Sequence, residues 1–593
     1  MTHILSNPDT FVDDALEGFA RTHADVVRRV DGGVVRAEPL PAGYCAVVVG
    51  GGSGHYPAFA GVVGEGLAAG AVCGEVFTSP SAGAAERVAR AAHAGGGVLF
   101  SYGNYAGDVI HFGAAERRLR EDGIDCRTVL VTDDVASAPV TRRAERRGIA
   151  GDFVVFKIAG ALAARGASID EVERVARWAN ERTVTMGVAF GGCSLPGADA
   201  PLFTVPDGTM SMGLGIHGEP GVRDETIPQV DRLARGLLEP LLIEKPAECD
   251  GRVGLVVNGL GAVKYEELFV LLRHVWDQLE EAGLDVVISE CGELVTSLDM
   301  AGASVTLTWL DDELEDLWRA PAATPAYRRG AVEAPRPAAA QTREATQARE
   351  AREAMRTQRD VGDLATGNAP SQPSSAPLVE LTDRQLTTNA TLLSLLERSR
   401  TTIEEERDAL GALDAIAGDG DHGTGMARGL GAAVAFTRAN LESLSPRHLL
   451  AGAGEAWSET AGGTSGALWG AALTAIADEL AGWDGSTAAC ARAARNALDA
   501  VRSMGGADVG DKTMVDAMAP FAHALAQAHG PLADALATAA AQATRAAAAT
   551  AQLEPKRGRA RPLAARSLGH PDPGATSFAL IVSALAERVE VTQ

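Results

Sequence analysis

The sequence predicts a two-part chain, an α/β region followed by an all-α region, with a tether between them. Three observations carry that prediction. Up to about residue 315, β-branched apolar runs alternate with helix-length amphipathic segments. From about residue 381 those runs vanish, and Ala- and Leu-rich stretches with a 3.6-residue period take their place. Between the two, Pro, Ala, Gln, Ser, Arg and Glu dominate.

The first part reads as an α/β domain over 1–317, in two lobes of about 1–195 and 196–317. Its strand-like runs are "YCAVVVG", "GVLFSYG", "RTVLVTDD", "DFVVFKIAG", "RVGLVVNG" and "LDVVISE". Residues 318–378 cannot bury much apolar surface and read as a linker, helical around Thr346 to Gln358. Residues 379–593 form the all-α domain. There "LATAAAQATRAAAATAQL" is helical from alanine propensity, and its small side chains pack against neighbouring helices.

Bulk properties narrow the function. At 593 residues the chain is too long for one core. A net charge of −25 argues against nucleic acid or anionic membrane as partners. No apolar run is long enough to span a bilayer, and Met1 to Asp14 show early acids with no leader pattern. The seven cysteines are scattered, odd in number and never spaced C-x-x-C, which fits reduced thiols in the cytoplasm.

The stretch "VVGGGSGHYP" ends an apolar run in glycines and then presents His55. A dinucleotide fingerprint would need glycine at position 55, and a phosphate-binding Walker loop would need a lysine, so both spacings fail. The glycines can still bring backbone close to a small ligand. "SYGNYAGDVIHF" places Asp108 in a glycine turn at a strand end, where α/β proteins bind ligands or where a following helix needs a cap. "MSMGLGIHGEPG" presents His217, a candidate base, metal ligand or nucleophile toward a carbonyl. Three polar loops delivering His55, Asp108 and His217 are harder to dismiss than any one of them.

In the helical part, "LDAIAGDGDHGTGM" gathers Asp414, Asp419 and Asp421 within eight residues. Three carboxylates so close call for a cation, and an oxygen-only donor set favours Mg²⁺ or Ca²⁺. The spacing breaks the EF-hand pattern, which leaves Mg²⁺ holding phosphates. "AGGTSGALWG", "GGADVGDKTM" and "RGRARPLAARSLGHPDPGATS" add helix-start amides, the hydroxyls of Thr464 and Ser465, and Arg559 as phosphate partners. Together these elements point to a Mg-nucleotide site.

The ordered set "GGGSGHYP", "NYAGD", "GIHGEPG", "NGLGA", "TSLDMAG", "LDAIAGDGDHG", "GGTSGAL", "GDKTM" and "GHPDPGATS" resembles the single-chain, ATP-using dihydroxyacetone kinases over nearly the whole chain except the tether. That resemblance implies a ketose-binding α/β domain fused to an ATP-binding helical barrel. It implies a hemiaminal between His217 and the ketose carbonyl, with His55 hydrogen-bonding the substrate and Asp108 as base for the attacking hydroxyl. Gly52, Ser53 and Gly103 would line the pocket. Asp414, Asp419 and Asp421 would hold two Mg²⁺ ions. His422, Gly423, Thr424, Thr464, Ser465, Gly505, Met514, Arg559, Asp572, Pro573 and Gly574 would contact the nucleotide. A homodimer follows from the resemblance alone.

Two departures stand out. Relatives show lysine where this chain has Gly103, and losing that side chain favours a longer ketose such as erythrulose. In "GRARPLAARS" Arg559 is kept, while Arg561, Pro562 and Ala565 depart from the usual element. Rival readings are a lyase that cyclises FAD and a regulatory or phosphotransfer-system partner. Neither domain holds both ketose and nucleotide residues, so the chemistry must lie where the domains meet.

Overall fold

A computed structural model describes residues 4–5, 7–198, 200–330, 381–418, 420–558, 560–561 and 564–591. The segment expected to be helical around Thr346 to Gln358 lies outside the described residues, as does most of the expected linker.

The α/β region is built on two six-stranded sheets. The first contains β1 (Val27–Val30), β2 (Gly33–Arg36), β3 (Ala46–Ser53), β4 (Gly70–Val76), β5 (Val98–Gly103) and β6 (Cys126–Val131), in the order β1-β2-β4-β3-β5-β6. Strands β4, β3, β5 and β6 run parallel, so their carboxyl ends share one edge. Strand β3 is buried along almost its whole length, as expected of a central parallel strand. Helices α1 (Phe11–Thr22), α2 (Ala82–Ala92), α3 (Ala106–Glu121), α4 (Gly151–Ala164) and α5 (Ile169–Glu181) accompany this sheet. The second sheet, mostly antiparallel, contains β7 (Thr183–Ala189), β8 (Thr209–Met212), β9 (Arg223–Thr226), β10 (Arg252–Gly259), β11 (Asp285–Gly292) and β12 (Gly302–Trp309). Its order is β11-β10-β12-β7-β8-β9, with α6 (Val230–Leu242) and α7 (Tyr265–Glu281) packed on it.

Three expectations need correction here. "DFVVFKIAG" is not a strand but lies in α4, nearly all of which is buried. A helix apolar on every face lacks the 3.6-residue stripe, so periodicity cannot tell it from a buried strand. The second sheet begins with β7 at Thr183, ahead of the expected lobe boundary near 195. Finally, packed structure continues past 317. Helix α8 (Asp312–Arg319) and the short pair β13 (Ala322–Ala323) and β14 (Arg328–Arg329) close the region, with Trp318 fully buried. The linker therefore begins after this hairpin. Trp318 shares one core with Phe153 and Phe156 of α4 and with Val256 and Ile288 of the second sheet.

The second region is helical throughout its described residues. Its helices are α9 (Asp383–Glu405), α10 (Arg407–Asp414), α11 (His422–Ala439), α12 (Pro446–Ala461), α13 (Gly463–Glu479), α14 (Thr487–Gly505), α15 (Val515–Gln527), α16 (Leu532–Ala549), α17 (Ala564–Ser567) and α18 (Pro573–Val591). From α11 to α16 each packs on its sequence neighbour, α18 follows on α16, and α9 closes the ring against both α18 and α11. Such an up-and-down ring puts the starts of alternate helices at one end. Those starts, at α11, α13, α15 and α18, are where the four glycine-bearing motifs fall.

Candidate active site

The glycines at the end of β3 and the bend after it are close-packed rather than an open anion cradle. A Cβ on Gly51 would lie 2.6 Å from the Phe59 ring, and one on Gly52 would lie 2.7 Å from the Thr78 amide nitrogen. Gly54 takes φ +102°, a backbone conformation that favours glycine, with the Phe77 ring beside it. Ser53 donates its hydroxyl to Gly74 O at 2.6 Å. The loop thus delivers His55 in a fixed orientation, stacked on Phe77 with centroids 5.1 Å apart.

His217 arrives from the other lobe, in the loop after β8. Its Nε2 lies 3.0 Å from His55 Nε2. His55 Nδ1 faces Thr296 O at 2.7 Å, and His217 Nδ1 faces Glu219 Oε1 at 3.3 Å. Both Nδ1 atoms address acceptors; with both as donors, a hydrogen bond between the two Nε2 atoms requires one further proton between them. Glu219 supplies the counter-charge. Burial alone would raise its pKa, but Arg147 and His217 hold it well below the ordinary carboxylate range. Glu219 Oε2 also accepts the His217 amide at 3.0 Å, and Arg147 bridges onward to Asp134 at 2.7 Å. Tyr105 closes the site edge-on to His217, with centroids 4.7 Å apart.

Asp108 sits in the first turn of α3, just past the carboxyl end of β5, and is 6% exposed. Gly103 ends β5, but no open channel marks the place of the relatives' lysine. A Cβ there would meet Gly148 O and Tyr105 Cε2 at 3.1 Å and Asp152 Oδ2 at 3.4 Å.

In the ring, Asp414 closes α10 and its Oδ2 accepts the Gly420 amide at 2.9 Å. Asp421 is the N-cap residue of α11, and burial followed by the Asp414 charge pushes its pKa up to about 6. His422, buried, reaches Ser577 of α18 at 2.9 Å and Ser465 of α13 at 3.4 Å. Burial lowers the pKa of His422. Asp572 caps α18 by accepting the Ala575 amide at 2.7 Å, and burial pushes its pKa up to about 7. A Cβ on Gly574 would lie 3.4 Å from Met514 Cβ. Gly423 backs closely onto the Arg407 carbonyl of α10. Gly505, Thr464, Thr424 and Pro573 lie at the same end, at the end of α14 and the starts of α13, α11 and α18. Asp419 and Arg559 lie outside the described residues.

The two regions meet at this end. Thr78 donates to Asp421 Oδ2 at 3.1 Å, and the Gly463 amide donates to Ser79 O at 3.1 Å. His111, one turn beyond Asp108, donates to Gly463 O at 2.7 Å. Ion pairs Arg428–Glu75 and Arg118–Glu455, each at 3.1 Å, flank the contact. A Cβ on Gly107 would lie 3.4 Å from the Thr464 amide nitrogen, so glycine permits the first turn of α3 to approach the start of α13.

Two family models divide the chain at the same joint: a Dak1 domain over residues 17–326 and a DAK2 domain over residues 416–587. The chain belongs to the dihydroxyacetone kinase family. Among family members it is 47% identical to the L-erythrulose 1-kinase of Mycolicibacterium smegmatis, over 99% of this chain and 100% of that one. It is 48% identical to the D-erythrulose kinase of the same organism, over 100% and 99%. The dihydroxyacetone kinase from C. freundii, solved in complex with AMP-PNP and Mg²⁺, matches at TM-score 0.51 and 28% identity over 99% of each chain.

Within this dihydroxyacetone kinase-family fold, sequence reasoning missed Glu219, Arg147, Tyr105, Thr296, Thr78 and Asp152. Glu219 and Tyr105 stand inside motifs that were quoted, two residues from His217 and three from Asp108. Thr296 opens the quoted motif "TSLDMAG", whereas Arg147 and Asp152 carry no local signal, because only the fold brings them in. No helix among the described residues is long and apolar enough to cross a membrane.

Proposed function

We propose that this chain phosphorylates a terminal hydroxyl of a four-carbon ketose, erythrulose, with dihydroxyacetone as the lesser substrate. As a family member it is an ATP-dependent phosphotransferase acting on a short ketose. One observation carries the reading: the His55–His217–Glu219 constellation is joined to the helix starts of the ring through Phe77, which stacks on His55, and its neighbour Thr78, which donates to Asp421.

His217 Nε2 adds to the ketose carbonyl carbon as the C=O π bond breaks. The carbonyl oxygen takes the proton shared by the histidine pair, through His55. The product is a hemiaminal on a cationic imidazole ring, so the positive charge stays beside Glu219 throughout and no charge separation is created. Thr296 and Phe77 keep His55 in place for that transfer. Asp108 accepts the proton of the terminal hydroxyl as that oxygen attacks the γ-phosphorus of ATP and ADP leaves.

The nucleotide end fits a hard divalent cation. Its donors are all oxygen, and Asp421 is buried against Asp414 at a cost its raised pKa records. Asp414, Asp419 and Asp421 would hold Mg²⁺, which neutralises phosphate charge when bound. The helix starts at Thr464, Ser465 and Gly574 offer amides to the phosphates.

The test is ADP release over a panel of three- and four-carbon ketoses, with His217→Ala and Asp108→Asn alongside. Turnover with erythrulose lost in both variants is expected. A clear preference for the three-carbon sugar, or activity indifferent to both substitutions, sinks the reading.

A further inference from the structure

Two consecutive glycines open α13, with φ of +61° at Gly462 and +59° at Gly463, a region of backbone space that favours glycine. A glycine pair has many conformations open to it and no side chain of its own to hold one of them. The α/β region supplies what holds it. Ser79 O accepts the Gly463 amide at 3.1 Å, and His111 of α3, 1% exposed, places Nε2 2.7 Å from Gly463 O. A carbonyl oxygen only accepts, so Nε2 carries the hydrogen and donates it. Both polar backbone atoms of Gly463 are thus bound across the joint between the regions.

Gly463 O and the Thr464 N–H belong to one planar trans peptide and point in opposite directions. A bond that fixes the oxygen therefore fixes the direction of that N–H. Donation into the carbonyl also polarises the peptide and strengthens the same N–H as a donor. Thr464 lies in the first turn of α13, whose amides have no acceptor within the helix. Its nitrogen stands 3.4 Å from where a Cβ on Gly107 would be, beside the turn that carries Asp108. Gly107 and His111 are four residues apart and share a face of α3. That one face admits the Thr464 nitrogen and grips the oxygen of the same peptide.

We propose that His111 is a positioning residue for the nucleotide: by donating to Gly463 O across the joint, it sets the plane of the Gly463–Thr464 peptide and aims the Thr464 amide at the phosphates of ATP. The ketose region thereby shapes part of the nucleotide site from outside the ring. This rests on the reading that the ring holds ATP at its helix starts. An oriented donor spares the ligand the cost of ordering it, so its loss is read first in nucleotide affinity.

The experiment measures binding of Mg²⁺–AMP-PNP by titration calorimetry, and steady-state kinetics with both substrates varied, in the full-length enzyme. His111→Leu removes the donor and keeps most of the volume, and His111→Ala removes both. Either one, if folded by thermal unfolding, is expected to raise the dissociation constant for AMP-PNP and the KM for ATP about 5- to 10-fold. The KM for ketose stays within about twofold. His111→Gln carries an amide N–H of similar reach and is expected to bring both nucleotide constants back to within about threefold of wild type. It folds with the polar contact intact, so it keeps the test decisive if the other two unfold: a loss in folded His111→Gln as large as 10-fold counts against the proposal. The control is Arg87→Ala/Arg118→Ala, which removes the ion pairs to Glu459 and Glu455 across the same joint and leaves Gly463 alone. Less than about a twofold change in nucleotide affinity is expected there. Unchanged nucleotide affinity in a folded His111→Leu or His111→Ala, or an equal loss in the arginine control, overturns the proposal. A wild-type enzyme that binds no AMP-PNP is a different result: it removes the nucleotide reading itself, and this inference with it.

Discussion

Thr78 of the α/β region donates its hydroxyl to Asp421 of the helical ring at 3.1 Å, and the residue before it, Phe77, stacks on His55. Two adjacent residues therefore touch the histidine pair and the start of α11. Thr78→Val keeps the shape and removes the donor. The expected result is a kcat lower by about tenfold, with KM for the ketose within about twofold, since hydrogen bonds to charged groups contribute about 1.5–3 kcal/mol. Steady-state kinetics with both substrates varied checks it, and an unchanged kcat refutes the linkage.

Glu219 faces His217 Nδ1 at 3.3 Å. Glu219→Gln keeps the hydrogen-bonding shape and removes the charge. A drop of roughly 100-fold in kcat/KM for ketose is expected, with KM for ATP unchanged. A matching loss in both substrates' KM values would mean that Glu219 supports the fold and not the addition step.

Asp421 and Asp414 repel one another in the absence of a counter-ion. Mg²⁺ added without nucleotide is therefore expected to raise the unfolding temperature of the wild type, and chelation to abolish turnover. Asp421→Asn relieves the repulsion, so the same addition should give a much smaller shift. An equal shift in wild type and variant would place the cation elsewhere.

Lys157, buried in α4, donates to Leu317 O at 2.9 Å, and burial, helped by Arg329 and Arg165, pushes its pKa down to about 7 from the ordinary 10.5. The unfolded chain thus binds this proton more tightly than the folded one. Below about pH 7 the penalty is fully present, and between pH 7 and 10.5 stability rises as pH rises. Lys157→Met is expected to flatten that slope, by an amount on the order of 1–3 kcal/mol between pH 7 and 9. Denaturant titrations at the two pH values measure it, and parallel slopes in wild type and variant would exclude a lysine titration.

A fragment ending at residue 317 omits the buried Trp318 and the hairpin that follows it. It should be insoluble or unfolded by circular dichroism, whereas a fragment ending at Gly330 should fold. Removing a buried tryptophan costs about 3–5 kcal/mol, enough to decide the outcome for a marginal domain.

The α/β-then-α order and the loops carrying His55, Asp108 and His217 were legible in the sequence, because strand runs, glycine bends and helix periodicity are local signals. The alternating helix starts were legible too: each motif announces a start, and a ring of antiparallel helices collects them. What was not legible depended on distance in sequence. The pairing of His55 with Thr296 spans 241 residues and that of Thr78 with Asp421 spans 343, and nothing near either residue encodes its partner. Helix α4 was mistaken for a strand because burial on all sides erases the pattern that separates the two. The tether was begun too early because Trp318 and Tyr327 stand among residues that otherwise resemble linker, and only the core they enter distinguishes them.

Ser79 O accepts the Gly463 amide, the first free donor at the start of α13. A helix start binds anions through such amides. With the α/β region docked, that hydrogen is already taken by Ser79 O. The contact between the regions thus uses up the first amide of this start and leaves any anion there to the amides that follow it.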